Sequence, residues 1–249
     1  MVRGLSKFQE YFSEYSDSYI LIGGCACDFN LELQELEFRA TRDLDIVLCA
    51  EALDKRFFQV FWQFIRDGHY KICERSTGQK TFYRFHKPES EVFPSMLELF
   101  SRRLDLLELS DSAHLTPIPA EDEISSLSAI LLDDDYYRFL RDNSSVQNGL
   151  SFASPAALIV LKAKAWMDLN MRSKSERIDS HNIRKHKCDI ARLVQVLQEE
   201  PLVLPANIQA DMKDFLRKFL LETIDAKNLG LIISEDQVKQ VLRKIFAPE

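Results

Sequence analysis

Two aspartates two residues apart, Asp43 and Asp45, interrupt an otherwise apolar run, Arg42-Asp43-Leu44-Asp45-Ile46-Val47. Strand residues two apart project to the same face, so this spacing sets two carboxylates side by side. Aspartate is depleted from strand interiors, and a pair flanked by Leu44, Ile46 and Val47 needs a compensating partner. A hard divalent cation, which prefers oxygen ligands, is the simplest such partner. Upstream, Gly23-Gly24 ends the short apolar run Tyr19–Ile22 and opens a helical stretch. Free backbone N–H groups at the positive end of a helix dipole suit a phosphate. Each feature alone has an ordinary explanation: a tight turn for the glycines, a solvated or capping role for the aspartates. Their order, with a helix between them, points to metal-assisted chemistry on a nucleotide.

The elements that must position these residues follow from periodicity. Phe8, Phe12 and Tyr15 predict an N-terminal amphipathic helix over 1–18. Tyr19–Ile22 reads as a short buried strand. Residues 25–36 read as a helix with Phe29, Leu33 and Leu36 on one side, and Leu44–Cys49 as a second strand. Phe57, Val60, Phe61, Phe64 and Ile65 form the stripe of a helix over 52–67, ended by Gly68. Residues 69–87 predict a hairpin turning at Ser76-Thr77-Gly78-Gln79, and Ser95–Leu109 one long or two short strands. A polar connector, His114–Glu123, precedes a strand and helix over 124–142. The second half is then helical: 155–170 with Ser154 as N-cap and Pro155 in the first turn, 185–198, 208–226 and 234–246. Residues 171–184 read as a polar linker. The expected organisation is an α/β (α+β) core over 1–123 with a small mixed sheet and helices on one face. A mainly helical region over 124–249 is expected to close its cleft.

Composition bounds the function classes. A chain of 249 residues, 46% of them hydrophobic, can bury one large core or two modest ones. A net charge of -7 gives no global basic footprint for nucleic acid, although a local patch would serve a short RNA end. Five cysteines, Cys25, Cys27, Cys49, Cys73 and Cys188, show no zinc-like spacing and read as reduced, buried thiols. His181 and His186 do not make a zinc site, and His186 with Lys187 reads as a solvated basic face. No leader-like opening or membrane-length apolar run is present, so a soluble cytoplasmic protein with no membrane partner is expected. Neither a nucleophile elbow nor a Gly-Lys-Ser/Thr phosphate loop occurs.

The order Gly-Gly, helix, Asp-x-Asp resembles the nucleotidyltransferase superfamily with a polymerase-β-like core. Within it, Gly23-Gly24-Cys25-Ala26 followed by Arg39-Ala40-Thr41-Arg42-Asp43-Leu44-Asp45 is most similar to the AbiEii-type nucleotidyltransferases of abortive-infection and toxin–antitoxin systems. The resemblance spans roughly residues 19–197. It implies a mixed-sheet fold and transfer of a nucleoside monophosphate from an NTP, with Mg²⁺ or Mn²⁺ as cofactor. Asp43 and Asp45 would then be metal ligands. A third carboxylate is expected on a neighbouring strand, Glu98 in Met96-Leu97-Glu98-Leu99-Phe100 first and Asp105 second. Gly23, Gly24 and Arg42 would handle phosphate. Lys162 in the helix after Pro155, and Asp189 in a later helix, match positions that complete the family's site, Lys162 neutralising the β- and γ-phosphates.

The acceptor stays open: a tRNA or other RNA end, a protein side chain, or an aminoglycoside-like small molecule. So does a cognate antitoxin as partner. The rival from another class is a catalytically silent domain that binds nucleotide or a partner protein.

Overall fold

The structure, a computed structural model, describes residues 2–72, 82–100, 130–131, 133–198 and 200–247. Asp105, Cys73, the Ser76–Gln79 turn, the connector His114–Glu123 and the strand expected after residue 123 lie outside these. The fold is mixed α/β. Two compact units divide the chain: one comprises residues 1–29, 39–121 and 144–153, the other 30–38, 122–143 and 154–249.

The first unit holds a seven-stranded mixed sheet of β1 (Tyr19–Ile22), β2 (Asp43–Leu48), β3 (Lys71–Ile72), β4 (Phe82–His86), β5 (Met96–Phe100), β6 (Ser144–Gln147) and β7 (Leu150–Ala153). Their order across the sheet is β3-β4-β5-β2-β1-β7-β6. β1 and β2 are antiparallel, β2 and β5 parallel, and β4 runs antiparallel to β5. A parallel β2–β5 pair requires a crossover, and it contains helix α3 (Lys55–Asp67) and the β3–β4 pair. β3 and β4 pair in antiparallel register, Lys71 with His86, as a hairpin over 69–87 requires.

Alternation gives the sheet two chemically distinct faces. Tyr19, Leu21, Leu44, Ile46, Leu48, Phe85 and Leu97 share one, by their register. Helix α1 (Leu5–Phe12) and α3 pack there through aromatic rings. Phe12 meets Tyr19 and Phe64 at centroid distances of 6.2 and 5.4 Å, and Phe61 meets Phe85 at 5.4 Å. Asp43, Asp45, Glu98 and Arg84 belong to the opposite face. The sheet therefore separates an aromatic core from the acidic residues.

Several expectations shift by local chemistry. The N-terminal helix stops at Phe12 and tightens into a 3₁₀ segment, Ser13–Ser18. Helix α2 runs Gly23–Glu32, earlier than expected. Leu31 is buried while Leu33 is 56% exposed, because Glu35 adopts φ 57 and Leu36 N–H closes back on Leu31. The hairpin β6–β7 lies within the region 124–249, expected to be mainly helical, at residues given no element by periodicity. Asn148 (φ 52) and Gly149 (φ 75) make its two-residue turn, a type that favours this left-handed pairing. Its β7 adds to the sheet edge beside β1, with Leu21 opposite Phe152.

The second unit is helical: α4 (Asp134–Asp142), α5 (Pro155–Arg172), α6 (Ser180–Leu193), α7 (Ala206–Phe219) and α8 (Glu235–Phe246). Ser154 caps α5 by accepting from Ala157 N–H at 3.2 Å, as expected. Asp179 caps α6 by accepting from His181 N–H, so the helix starts five residues before the expected Lys185. The polar linker is correspondingly short. Trp166 of α5 packs against Phe215 and Phe219 of α7, both at 5.8 Å. No helix among the described residues is long and apolar enough to cross a membrane.

Phe64 is fully buried among Phe8, Tyr11, Phe12, Tyr70 and Phe93. Phe64→Ala is expected to cost about 3–5 kcal/mol in urea unfolding. A loss below about 1 kcal/mol contradicts this picture of the core.

Candidate active site

β2 is the ordinary product of its sequence, a β-branched and leucine run, except at Asp43 and Asp45. Both are half-buried, whereas Leu44, Ile46, Val47 and Leu48 are buried. Strand register then sets the neighbours. Asp45 lies opposite Ile22 of β1 on one side and Glu98 of β5 on the other. Glu98 in turn lies opposite Arg84 of β4. A row Ile22–Asp45–Glu98–Arg84 therefore crosses four strands with all its side chains on one face.

Glu98 is 5% exposed. Its Oε1 accepts a hydrogen bond from Arg84 Nε at 3.0 Å and lies 2.8 Å from Nη2 in an ion pair. Burial, then the charge of Asp45 and a hydrogen bond shared with it, push the Glu98 carboxyl far above the ordinary range, and Arg84 only partly opposes this. The Cys25 thiol is likewise pushed well up, by burial first and then by Asp45, so it stays a neutral packing group. Cys27 and Cys49 are buried free thiols and Cys188 is half-buried.

The glycines have a steric explanation that spacing alone did not reveal. Gly23 sits at φ +63, and a Cβ there would lie 1.6 Å from Asp45 Oδ2. A Cβ on Gly24 would lie 2.6 Å from the Thr41 hydroxyl oxygen. The Gly-Gly pair thus makes room for one of the carboxylates and for Thr41 as it begins α2. Arg42 is exposed just before β2, and its carbonyl accepts from Ser95 N–H at 3.3 Å.

Chemically, the first unit brings Asp45, Glu98 and Gly23 together, with Asp43 on the same face one strand repeat away and opposite Met96. Among the described residues no group of three or more His, Cys, Asp or Glu side chains converges on one point. Mg²⁺ often takes only one or two protein carboxylates and completes its octahedron with water and substrate phosphate. An oxygen-only, mutually repelling carboxylate pair is a donor set that such an ion fits. Arg84 is the residue spacing did not single out. Its signal was a charge in the middle of Phe82-Tyr83-Arg84-Phe85-His86, a strand long enough to pair with Glu98.

In the second unit Lys162 Nζ lies 2.9 Å from Asp189 Oδ2, joining α5 to α6. Lys162 is 7% exposed and Asp189 fully buried, with Arg192 Nη1 3.8 Å from the other carboxylate oxygen. The neighbouring Lys164 is half-exposed and pairs with Asp211 at 2.5 Å. His186 is buried rather than on a solvated face, and Lys187 pairs with Glu222 at 2.7 Å.

No protein-family model matches the chain. In structure it is similar to an antigenic nucleotidyltransferase-like protein from Paracoccidioides brasiliensis. That match has a TM-score of 0.46 and 14% identity over 98% of this chain and 95% of the other. It is also similar to the Megavirus polyadenylate synthase, with a TM-score of 0.42 and 11% identity, over 95% of this chain and 46% of that one.

Two predictions follow from this geometry. Gly23→Ala strains a left-handed residue and displaces Asp45, so it is expected to cost more than about 1 kcal/mol in thermal or urea unfolding. An unchanged stability contradicts the close approach. Lys162→Met leaves Asp189 buried without its closest cation and is expected to cost about 3–5 kcal/mol, most of it recovered in Lys162→Met/Asp189→Leu. A double variant as unstable as the sum of the singles, read by the same denaturation, contradicts the pairing.

Proposed function

We propose that the chain is a Mg²⁺- or Mn²⁺-dependent nucleotidyltransferase that moves a nucleoside monophosphate from an NTP to a hydroxyl acceptor. The carrying observation is the β2–β5 register that sets Asp45 opposite Glu98, with Asp45 seated against Gly23 at the start of α2. When bound, the cation would neutralise triphosphate charge and acidify the attacking hydroxyl.

The chain's own residues have separate tasks. Asp45 of β2 and Glu98 of β5 would offer the two facing carboxylates, and Asp43, one strand repeat along the same face, is the further oxygen donor proposed for the ion. Glu98 also stands ready to take the proton that the acceptor hydroxyl loses as its oxygen bonds to the α-phosphorus. The bond from that phosphorus to pyrophosphate breaks in the same displacement. N–H groups at Gly23-Gly24, with the exposed guanidinium of Arg42, bind phosphate oxygens. In the second unit Asp189 fixes Lys162 as a compact, buried ammonium. Such a transfer depends chiefly on positioning and charge neutralisation, which fits the number of charged groups held in defined places.

The motifs Gly23–Ala26 and Arg39–Asp45 support placing this activity in an AbiEii-like toxin–antitoxin or abortive-infection role, with an RNA end such as that of a tRNA as the acceptor and a cognate antitoxin as partner. One observation favours the silent-domain alternative: Arg84 already supplies a cation to Glu98.

Incubating the protein with each labelled NTP, Mg²⁺ and candidate RNAs, proteins and aminoglycosides tests the proposal. Transfer is expected to stop with a chelator, return with Mg²⁺, and fall at least about a hundredfold in Asp43→Ala and Asp45→Asn. Transfer that survives either substitution contradicts the assignment of the pair. Nucleotide binding with no transfer to any acceptor favours the silent domain.

A further inference from the structure

Arg84 is the feature of the acidic face that the proposed reaction does not use. Its guanidinium donates a hydrogen bond from Nε to one oxygen of Glu98 at 3.0 Å, and Nη2 forms an ion pair with the same oxygen at 2.8 Å. Its side chain is 17% exposed and that of Glu98 7%, so water screens the pair weakly. The contact is also fixed by the backbone: β4 and β5 are paired from Phe82↔Phe100 to His86↔Met96, with Arg84 directly opposite Glu98. Arginine carries its charge at any physiological pH and binds carboxylates through a rigid fork. A permanent cation therefore sits on the carboxylate that also touches Asp45.

We propose that Arg84 is a positioning residue that holds Glu98 in the cation-free protein and competes with a divalent cation for it. Two consequences follow from charge. The guanidinium orients Glu98 beside Asp45, and it repels a metal ion approaching the same two carboxylates. The carboxylate pair alone then binds a cation weakly, and tight binding waits for the added negative charge of a triphosphate. Loading with metal becomes conditional on nucleotide. This inference rests on the reading of Asp45 and Glu98 as cation ligands.

The test is Mn²⁺ binding to the full chain, read from the loss of the free Mn²⁺ electron paramagnetic resonance signal. It is run with and without a non-hydrolysable NTP, so that turnover plays no part. Without nucleotide, Arg84→Met is expected to bind Mn²⁺ about tenfold more tightly than wild type. With nucleotide the difference is expected to shrink. Arg84→Gln is the second uncharged variant should Arg84→Met not fold. Arg84→Lys keeps the charge and is expected to bind as weakly as wild type. Equal or weaker binding by the folded uncharged variants, or tighter binding by Arg84→Lys, overturns the proposal. Asp45→Asn separates the two readings. If it loses Mn²⁺ while Arg84→Met equals wild type, only the role of Arg84 fails. If Asp45→Asn binds as wild type does, the cation-ligand reading fails and takes this proposal with it.

Discussion

Two carboxyl groups set side by side by strand register, one of them buried, set the terms for the acidic face of this protein. Asp45 and Glu98 stand opposite each other on adjacent parallel strands, in a register set by the β2–β5 ladder. Like charges so placed cannot both ionise without help, from a proton, a guanidinium or a metal ion. Arg84 clasps one of the Glu98 oxygens, and burial beside Asp45 still pushes that carboxyl above its ordinary range. Gly23 gives Asp45 the volume it needs, and the aromatic layer on the other face holds the strands in the register that creates the contact. The cation proposed above would remove this electrostatic cost.

The second unit treats charge differently. Lys162 and Asp189 compensate each other within a buried pair, and Arg192 stands near the far oxygen. Breaking such a pair costs more than replacing it whole, so it fixes α5 against α6 as well as holding an ammonium in a defined position. Its neighbour Lys164, two residues on, is turned instead to Asp211, which shows how one helix separates a buried lysine from a half-exposed one.

Much of this was legible in the sequence where local rules act alone. The strand of Tyr19–Ile22, the Asp43-x-Asp45 strand, the α3 stripe and the Ser154-Pro155 start of α5 need only periodicity and capping, and they stand where those rules place them. The β6–β7 hairpin was not legible, because Ser144–Gln147 carries no apolar alternation and owes its strand state to pairing with β7. The start of α6 is not legible because Asp179 lies in a polar stretch, and its capping of His181 belongs to the folded backbone. At the site, the types of residue were readable but their partners were not. Glu98 could be singled out as a charge among apolar residues, whereas its contact with Arg84 depends on the register of two strands distant in sequence. Gly23 carried a phosphate-binding reading, and only the fold reveals that it also makes room for Asp45.

The account stands or falls on whether Asp45 and Glu98 share a divalent cation. Crystals grown with Mn²⁺ and a non-hydrolysable NTP, measured for anomalous scattering from manganese, address this directly. The prediction is a peak about 2 Å from oxygens of both Asp45 and Glu98, with the triphosphate on the same ion. Nucleotide bound with no manganese at that position, and Glu98 still joined to Asp45 by a hydrogen bond, would contradict it.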